Sequence, residues 1–120
     1  MSLKTLVIGA SNNPSRYSHT AVLKLLAKGH DTVALGLKKG MIGPTPILTG
    51  TPDIRDIDTI SLYIGADHQP ALYDYILDLE PKRIIFNPGT ENPGFAKLAA
   101  ERGIEVVFGC NLVMLSIGTF

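Results

Sequence analysis

Thr5-Leu6-Val7-Ile8-Gly9-Ala10-Ser11-Asn12-Asn13-Pro14 decides the fold. Thr5 to Ile8 is strand-length and apolar without alternation, and it ends on Gly9. That is how a strand covered on both faces reads. A polar turn cluster, Ala10 to Ser15, follows. Ala21, Val22, Leu25 and Leu26 then recur at helical spacing until Gly29 stops the helix. Asp31 to Leu35 carries Val33, Ala34 and Leu35 and forms a second strand. Strand, helix and strand in this order make a βαβ unit, the connection that parallel strands require.

The same alternation continues to the end of the chain. Leu37 to Asp58 is rich in Gly and Pro and reads as a loop, with a short extended piece at Pro46-Ile47-Leu48. Within it Thr51-Pro52-Asp53-Ile54 has the form of a helical turn, Thr51 as cap and Pro52 first. Thr59 to Ile64 alternates and is a third strand. Leu72, Tyr75, Ile76 and Leu79 mark an amphipathic helix between Pro70 and Pro81. Arg83 to Phe86 is a fourth strand. Asn92-Pro93 opens a helix whose buried face is Phe95, Leu98 and Ala99, and Gly103 ends it. Glu105 to Phe108 is a fifth strand, and Asn111 to Phe120 an apolar tail holding a short helix. The expectation is one α/β domain over residues 1–120: a Rossmann-like, doubly wound fold with a five-stranded parallel sheet and the first strand central.

Composition narrows the function. In 120 residues, 45% hydrophobic and 18% charged, there is material for a core and none of the bias of a disordered tail. Eleven basic residues balance eleven acidic ones, so no global field draws the chain to nucleic acid or an anionic membrane. The lone Cys110 excludes an internal disulfide and a cysteine zinc site, which points to the cytoplasm. No apolar run approaches the ~20 residues of a membrane span. The tail residues Leu112, Val113, Met114, Leu115 and Ile117 need cover. Either the sheet's outer face or a second copy in a homodimer supplies it.

In a parallel open sheet, ligands bind beyond the carboxyl ends of the strands, where strand order reverses. Five Gly-bearing segments fall there: Gly9 to Pro14, Gly36 to Gly40, Ile64 to His68, Asn87 to Glu91, and Gly109 to Asn111. The first leads into a helix whose early N–H groups lack partners, a natural phosphate site. Ser11, Asn12, Ser15, Ser18 and Thr20 add donors, and Gly9 lets backbone approach a ligand. The spacing is not the dinucleotide fingerprint, because Ser11 and Pro14 stand where glycines would be needed, and it is not a P-loop, because it has no Gly-Lys-Ser/Thr. After the second strand, Lys38-Lys39 replaces the acid of an NAD site and would attract an additional phosphate. That fits the 3′-phosphate of coenzyme A or the 2′-phosphate of NADP. No catalytic set stands out. His19 reads as a helix-start cap, His30 lies on the wrong edge, and Asp67-His68 are chain neighbours that do not face each other as a dyad.

Val7-Ile8-Gly9-Ala10-Ser11-Asn12-Asn13-Pro14 with Tyr17-Ser18 resembles the opening of the small bacterial CoA-binding-domain proteins. These are stand-alone relatives of the CoA-binding domain in the succinyl-CoA synthetase α-subunit. The likeness runs through Gly43-Pro44-Thr45-Pro46, Phe86-Asn87-Pro88-Gly89 with Glu91, and Cys110. It implies that Gly9, Ala10, Ser11, Asn12, Asn13, Pro14 and Ser18 face the nucleotide phosphates, with Lys38 or Lys39 near the ribose phosphate. It further implies Ile64 and Gly65 beside the adenine, and Asn87, Pro88 and Gly89 beside the pantetheine. Gly36-Leu37 departs from the Asn-Pro step of the family, and the synthetase's phosphorylated histidine belongs to a domain that does not occur here. The resulting expectation is a non-catalytic module for coenzyme A or an acyl-CoA. Its alternatives are an NADP-dependent reductase, an acyl-CoA ligase subunit, and an interaction domain without ligand.

Overall fold

The structure, a computed structural model, describes residues 2–120. Strand β1 (Thr5–Ile8) leads through helix α1 (Tyr17–Ala27) to β2 (Thr32–Leu35), then to a hairpin of β3 (Gly40–Ile42) and β4 (Thr45–Leu48). Next come β5 (Thr59–Leu62), two short 3-10 turns, α2 (Tyr73–Asp78), β6 (Arg83–Phe86), α3 (Pro93–Glu101), β7 (Glu105–Phe108) and α4 (Asn111–Ile117). Among the described residues the sheet has seven strands in the order β3-β4-β2-β1-β5-β6-β7.

The five expected strands are all parallel neighbours, in the order β2-β1-β5-β6-β7, and β1 is the central strand of the seven. The sheet is nevertheless not five-stranded and not wholly parallel. Residues expected to form a loop build β4, parallel to β2, and β3, antiparallel to β4. The physical reason is a two-residue turn. Gly43 takes φ +56 and Pro44 follows, a positive φ at the first central position as in a II′ hairpin. Pro46 is tolerated because it lies opposite Met41, one pair beyond the closing pair Ile42–Thr45, where ladder bonds to β3 are not made. Pairing of β4 with β2 begins only at Ile47. The helical turn expected at Thr51–Ile54 does not form. Residues 51–58 run irregularly, held by Tyr75 Oη donating to the Pro52 carbonyl at 2.6 Å.

Strand alternation divides the core. Leu6 and Ile8 enter one cluster with Ile60, Leu62, Ile84 and Phe86, covered by Ile76 of α2 and Phe95 of α3. Val7 and Ala34 enter the other with Val22 and Leu25 of α1 and Leu115 of α4. Each fully buried Leu, Ile or Phe contributes about 1.5–3 kcal/mol. The tail helix therefore packs on the α1 face of the sheet, leaving Val113 and Ile117 exposed. Because α1 carries the chain to one side of β1 while β5 lies on the other, the order reverses between β1 and β5, and their carboxyl ends diverge there.

Candidate functional site

A cleft of about 550 Å³ opens at that reversal point. Its floor is Gly9 to Asn12, and one wall is Arg16, Tyr17 and Ser18 at the start of α1. Leu37 and Lys38 from the end of β2, with Tyr63, Ile64 and Pro88 from the β5 and β6 ends, complete it.

Gly9 serves the fold before it serves a ligand. Its φ is +96, and a Cβ there would stand 3.0 Å from the carbonyl carbon of Tyr63. The backbone needs glycine so that β1 and β5 can separate. A Gly9→Val change thus disturbs folding itself, whatever it does to a ligand. The loop is then tied to itself. Ser11 Oγ accepts from the Asn13 N–H at 3.1 Å, and Asn13 Oδ1 accepts from the Ser15 N–H at 3.0 Å and its Oγ at 2.8 Å. His19 Nδ1 lies 3.0 Å from the Ser11 carbonyl oxygen. A carbonyl only accepts, so that ring nitrogen carries the proton, and His19 tethers the loop rather than capping a helix.

Helix α1 starts open. Its N-cap, Arg16, has extended geometry (φ −84, ψ 137) but makes no side-chain cap bond, and the first turn holds no acid. Among the described residues nothing accepts from the Tyr17 or Ser18 N–H. Helix α3 shows the contrast: Asn92 Oδ1 accepts from the Phe95 N–H at 3.0 Å. The open end, with Arg16 and Lys38 beside it, gives the cleft a positive field without a carboxylate, imidazole or thiol in its lining.

The other expected residues are placed differently. Asn13 and Pro14 are exposed and shape the loop from outside the lining, and Lys39 is likewise outside it. Asn87 is turned inward, donating from Nδ2 to Ser61 Oγ at 2.9 Å and the Leu62 carbonyl at 2.8 Å. Gly89 is exposed, and its N–H donates to Glu91 Oε1 at 2.9 Å. Gly65 begins the turn after β5 beyond the lining. Asp67 and His68 do meet, contrary to the neighbour argument, at 3.8 Å, but on an exposed turn outside the cleft. Arg16, Tyr17, Leu37 and Tyr63 were not foreseen as lining. Arg16 had a visible signal, a cation between the loop and the first helical residue. Burial pushes the Tyr63 hydroxyl above the ordinary phenol range; nearby Cys110 adds to this while Ser61 acts the other way.

A second cleft, of about 520 Å³, is lined by Asp53, Asp56, Asp58, Asp78 and Glu80 against only Arg55 and Lys82. That charge repels phosphates, so an anionic ligand belongs at the first.

The model of a CoA binding domain matches residues 4–116. The chain belongs to the CoA-binding domain family. A crystal structure of a protein described as uncharacterized is 46% identical, covers 100% of this chain and 99% of its own, and superposes with a TM-score of 0.97. Two more distant structures share the fold. A Thermus thermophilus protein has 20% identity, TM-score 0.86, and covers 99% of this chain and 91% of its own. A hypothetical protein from Pyrococcus horikoshii OT3 has 22% identity, TM-score 0.87, and covers 97% and 83%. No curated protein matches. The donor set fits what a CoA-binding domain holds: unpaired helix N–H groups and two cations suit a nucleotide diphosphate. Among the described residues no helix is long and apolar enough to cross a membrane.

Proposed function

We propose that this CoA-binding domain holds coenzyme A or an acyl-CoA in the cleft between β1 and β5, through the nucleotide phosphates, and performs no chemistry on it. The observation that carries this is the uncapped start of α1 beside Arg16 and Lys38. The diphosphate caps the helix through the Tyr17 and Ser18 N–H groups, with Ser11, Asn12 and the Ser18 hydroxyl around it. Lys38 takes the 3′-phosphate, Ile64 and Gly65 border the adenine, and the Pro88–Gly89 backbone borders the pantetheine. Coenzyme A itself supplies a thiol for acyl transfer. The lining offers no carboxylate, imidazole or thiol, and no paired catalytic set, to act on it, which supports a binding or sensing role.

A thermal-shift and calorimetry panel of CoA, acetyl-CoA, NADP, NAD and ATP tests the reading. CoA or acetyl-CoA at 100 times its dissociation constant should stabilise the protein by about 2.7 kcal/mol. Binding of NADP with none of CoA would replace this reading with the reductase alternative. The exposed Val113 and Ile117 on α4 also support a homodimer contact, and light scattering across a range of concentrations decides it.

A further inference from the structure

Behind the wall formed by Tyr63 and Pro88 lies a second, fully buried polar group. Asn87 accepts at Oδ1 from the backbone N–H of Asn111 at 2.8 Å and donates to the Leu62 carbonyl at 2.8 Å. The first bond ties Asn111 to Asn87, which precedes Pro88, and the second ties Asn87 to Leu62, which precedes Tyr63. Asn111 is 0% exposed, yet neither its Nδ2 nor its Oδ1 has a partner. Among the described residues the buried hydroxyl of Tyr63 makes no hydrogen bond within 3.5 Å either, although Ser61 is near enough to act on it. Asn87, in the same place, has its amide paired on both sides. Buried side-chain polar atoms are nearly always paired, and an unpaired one is costly. Three such atoms beside a binding cleft call for a guest that pairs them.

We propose that Asn111, with the Tyr63 hydroxyl, is the recognition point for the amide-bearing arm of the ligand, the pantetheine portion of coenzyme A. This rests on the CoA reading above and adds where the arm is read. Pantetheine carries two secondary amides and so presents N–H donors and C=O acceptors in turn. A carboxamide offering both an unpaired donor and an unpaired acceptor matches that pattern, and a hydroxyl serves either. On this proposal the arm enters past the Tyr63 side chain, which lines the cleft. A bare adenine nucleotide has nothing to place there. The residue thus selects CoA over nucleotides that share its phosphates.

Calorimetry with two ligands tests this: CoA, and adenosine 3′,5′-bisphosphate, which has the phosphorylated nucleoside without the arm. The wild type should bind CoA more tightly. Asn111→Leu should weaken CoA about tenfold, as expected when hydrogen bonds to an uncharged guest are lost, and leave the bisphosphate within about twofold. The free Asn111→Leu protein should unfold no earlier than wild type, because no existing side-chain hydrogen bond is removed. Tyr63→Phe, which deletes one unpartnered hydroxyl and keeps the ring, should lower CoA affinity in the same selective way, and it keeps the test available if the Leu variant fails to fold. Unchanged CoA affinity in the folded variants, or equal loss for both ligands, overturns the assignment of Asn111. Absence of binding of either ligand to the wild type overturns the CoA reading instead, so the two failures are told apart.

Discussion

Arg16→Asp separates the stability of α1 from its proposed use as an anion site. Arg16 already has the extended backbone of an N-cap, so an aspartate there can accept from the open N–H groups without rearrangement. Such a cap stabilises by about 1 kcal/mol, and a negative charge at the positive end of the helix adds about 0.3–1 kcal/mol. At about 2.1 cal/mol/K per residue, the 120-residue chain has an unfolding entropy near 250 cal/mol/K. The gain is then a rise of about 5–8 °C in Tm. For the ligand the signs reverse. The aspartate occupies the N–H groups meant for the diphosphate and replaces attraction by repulsion. Exposure discounts the Coulomb energy, but the loss should still reach at least about 2 kcal/mol, roughly thirtyfold in Kd. Differential scanning calorimetry of the free protein and titration with CoA read the two effects separately. Higher Tm with weaker binding is the expected pair. A variant that is more stable and binds CoA as before would show that the α1 start is not the phosphate site.

The remaining expectations concern other parts of the same edge and one distant residue. Lys38→Ala should erase the preference for CoA over dephospho-CoA, a difference of roughly 1.5 kcal/mol or less for an exposed cation, whereas Lys39→Ala should retain it in the same titrations. Gly36→Ala would drive a Cβ into the Ala10 carbonyl oxygen and to 3.0 Å from Ile47 Cγ2. It should cost about 1–3 kcal/mol in denaturant unfolding and weaken CoA binding by shifting the phosphate loop. Asn87→Ala leaves the Ser61 hydroxyl, the Leu62 carbonyl and the Asn111 N–H without their partner. A loss of about 2–4 kcal/mol in urea is expected. Burial, with Arg83 nearby, lowers the His30 pKa. Below its ordinary value near ~6.5 the unfolded chain takes a proton that the folded chain resists. Stability should therefore decline as pH falls from that value through the folded pKa, and His30→Asn should flatten this part of the urea midpoint against pH.

What the sequence made legible follows from which signals are local. Thr5–Ile8 read as a doubly covered strand because both neighbours of β1 are strands and both its faces are helix-covered, and continuous apolarity records that environment directly. Asn92-Pro93 read as a helix start, and Asn92 does cap α3. The tail helix read as apolar because Leu115 packs on the α1 face. The site was legible where it coincides with the strand ends, at Gly9 to Asn12, Ile64 and Pro88. It was not legible where a side chain's direction decides. Asn87 and Asn13 have the same chemistry, yet one points into the core and the other braces a loop. Tyr63 read as one more strand residue, and only the reversal between β1 and β5 turns it into a cleft wall.

The β3–β4 hairpin was hidden by the residues that join it to the site. Gly36, Gly40, Gly43, Pro44 and Pro46 make the stretch look like a loop, because Gly and Pro are poor strand residues. Two of those glycines stand where backbone meets the phosphate loop. A Cβ on Gly36 would overlap the Ala10 carbonyl, and one on Gly40 would lie 3.2 Å from Asn12 Cβ. The end of β2 and the start of β3 therefore press on Ala10 and Asn12. With the Ser11–His19 tether and the Asn13 bonds, this contact leaves the loop little freedom to lose on binding. The N–H groups of Tyr17 and Ser18 stay free at its far end. Local propensity yields here to close packing behind the first loop, so the weakest strand signal in the chain and the rigidity of its proposed anion site have one cause.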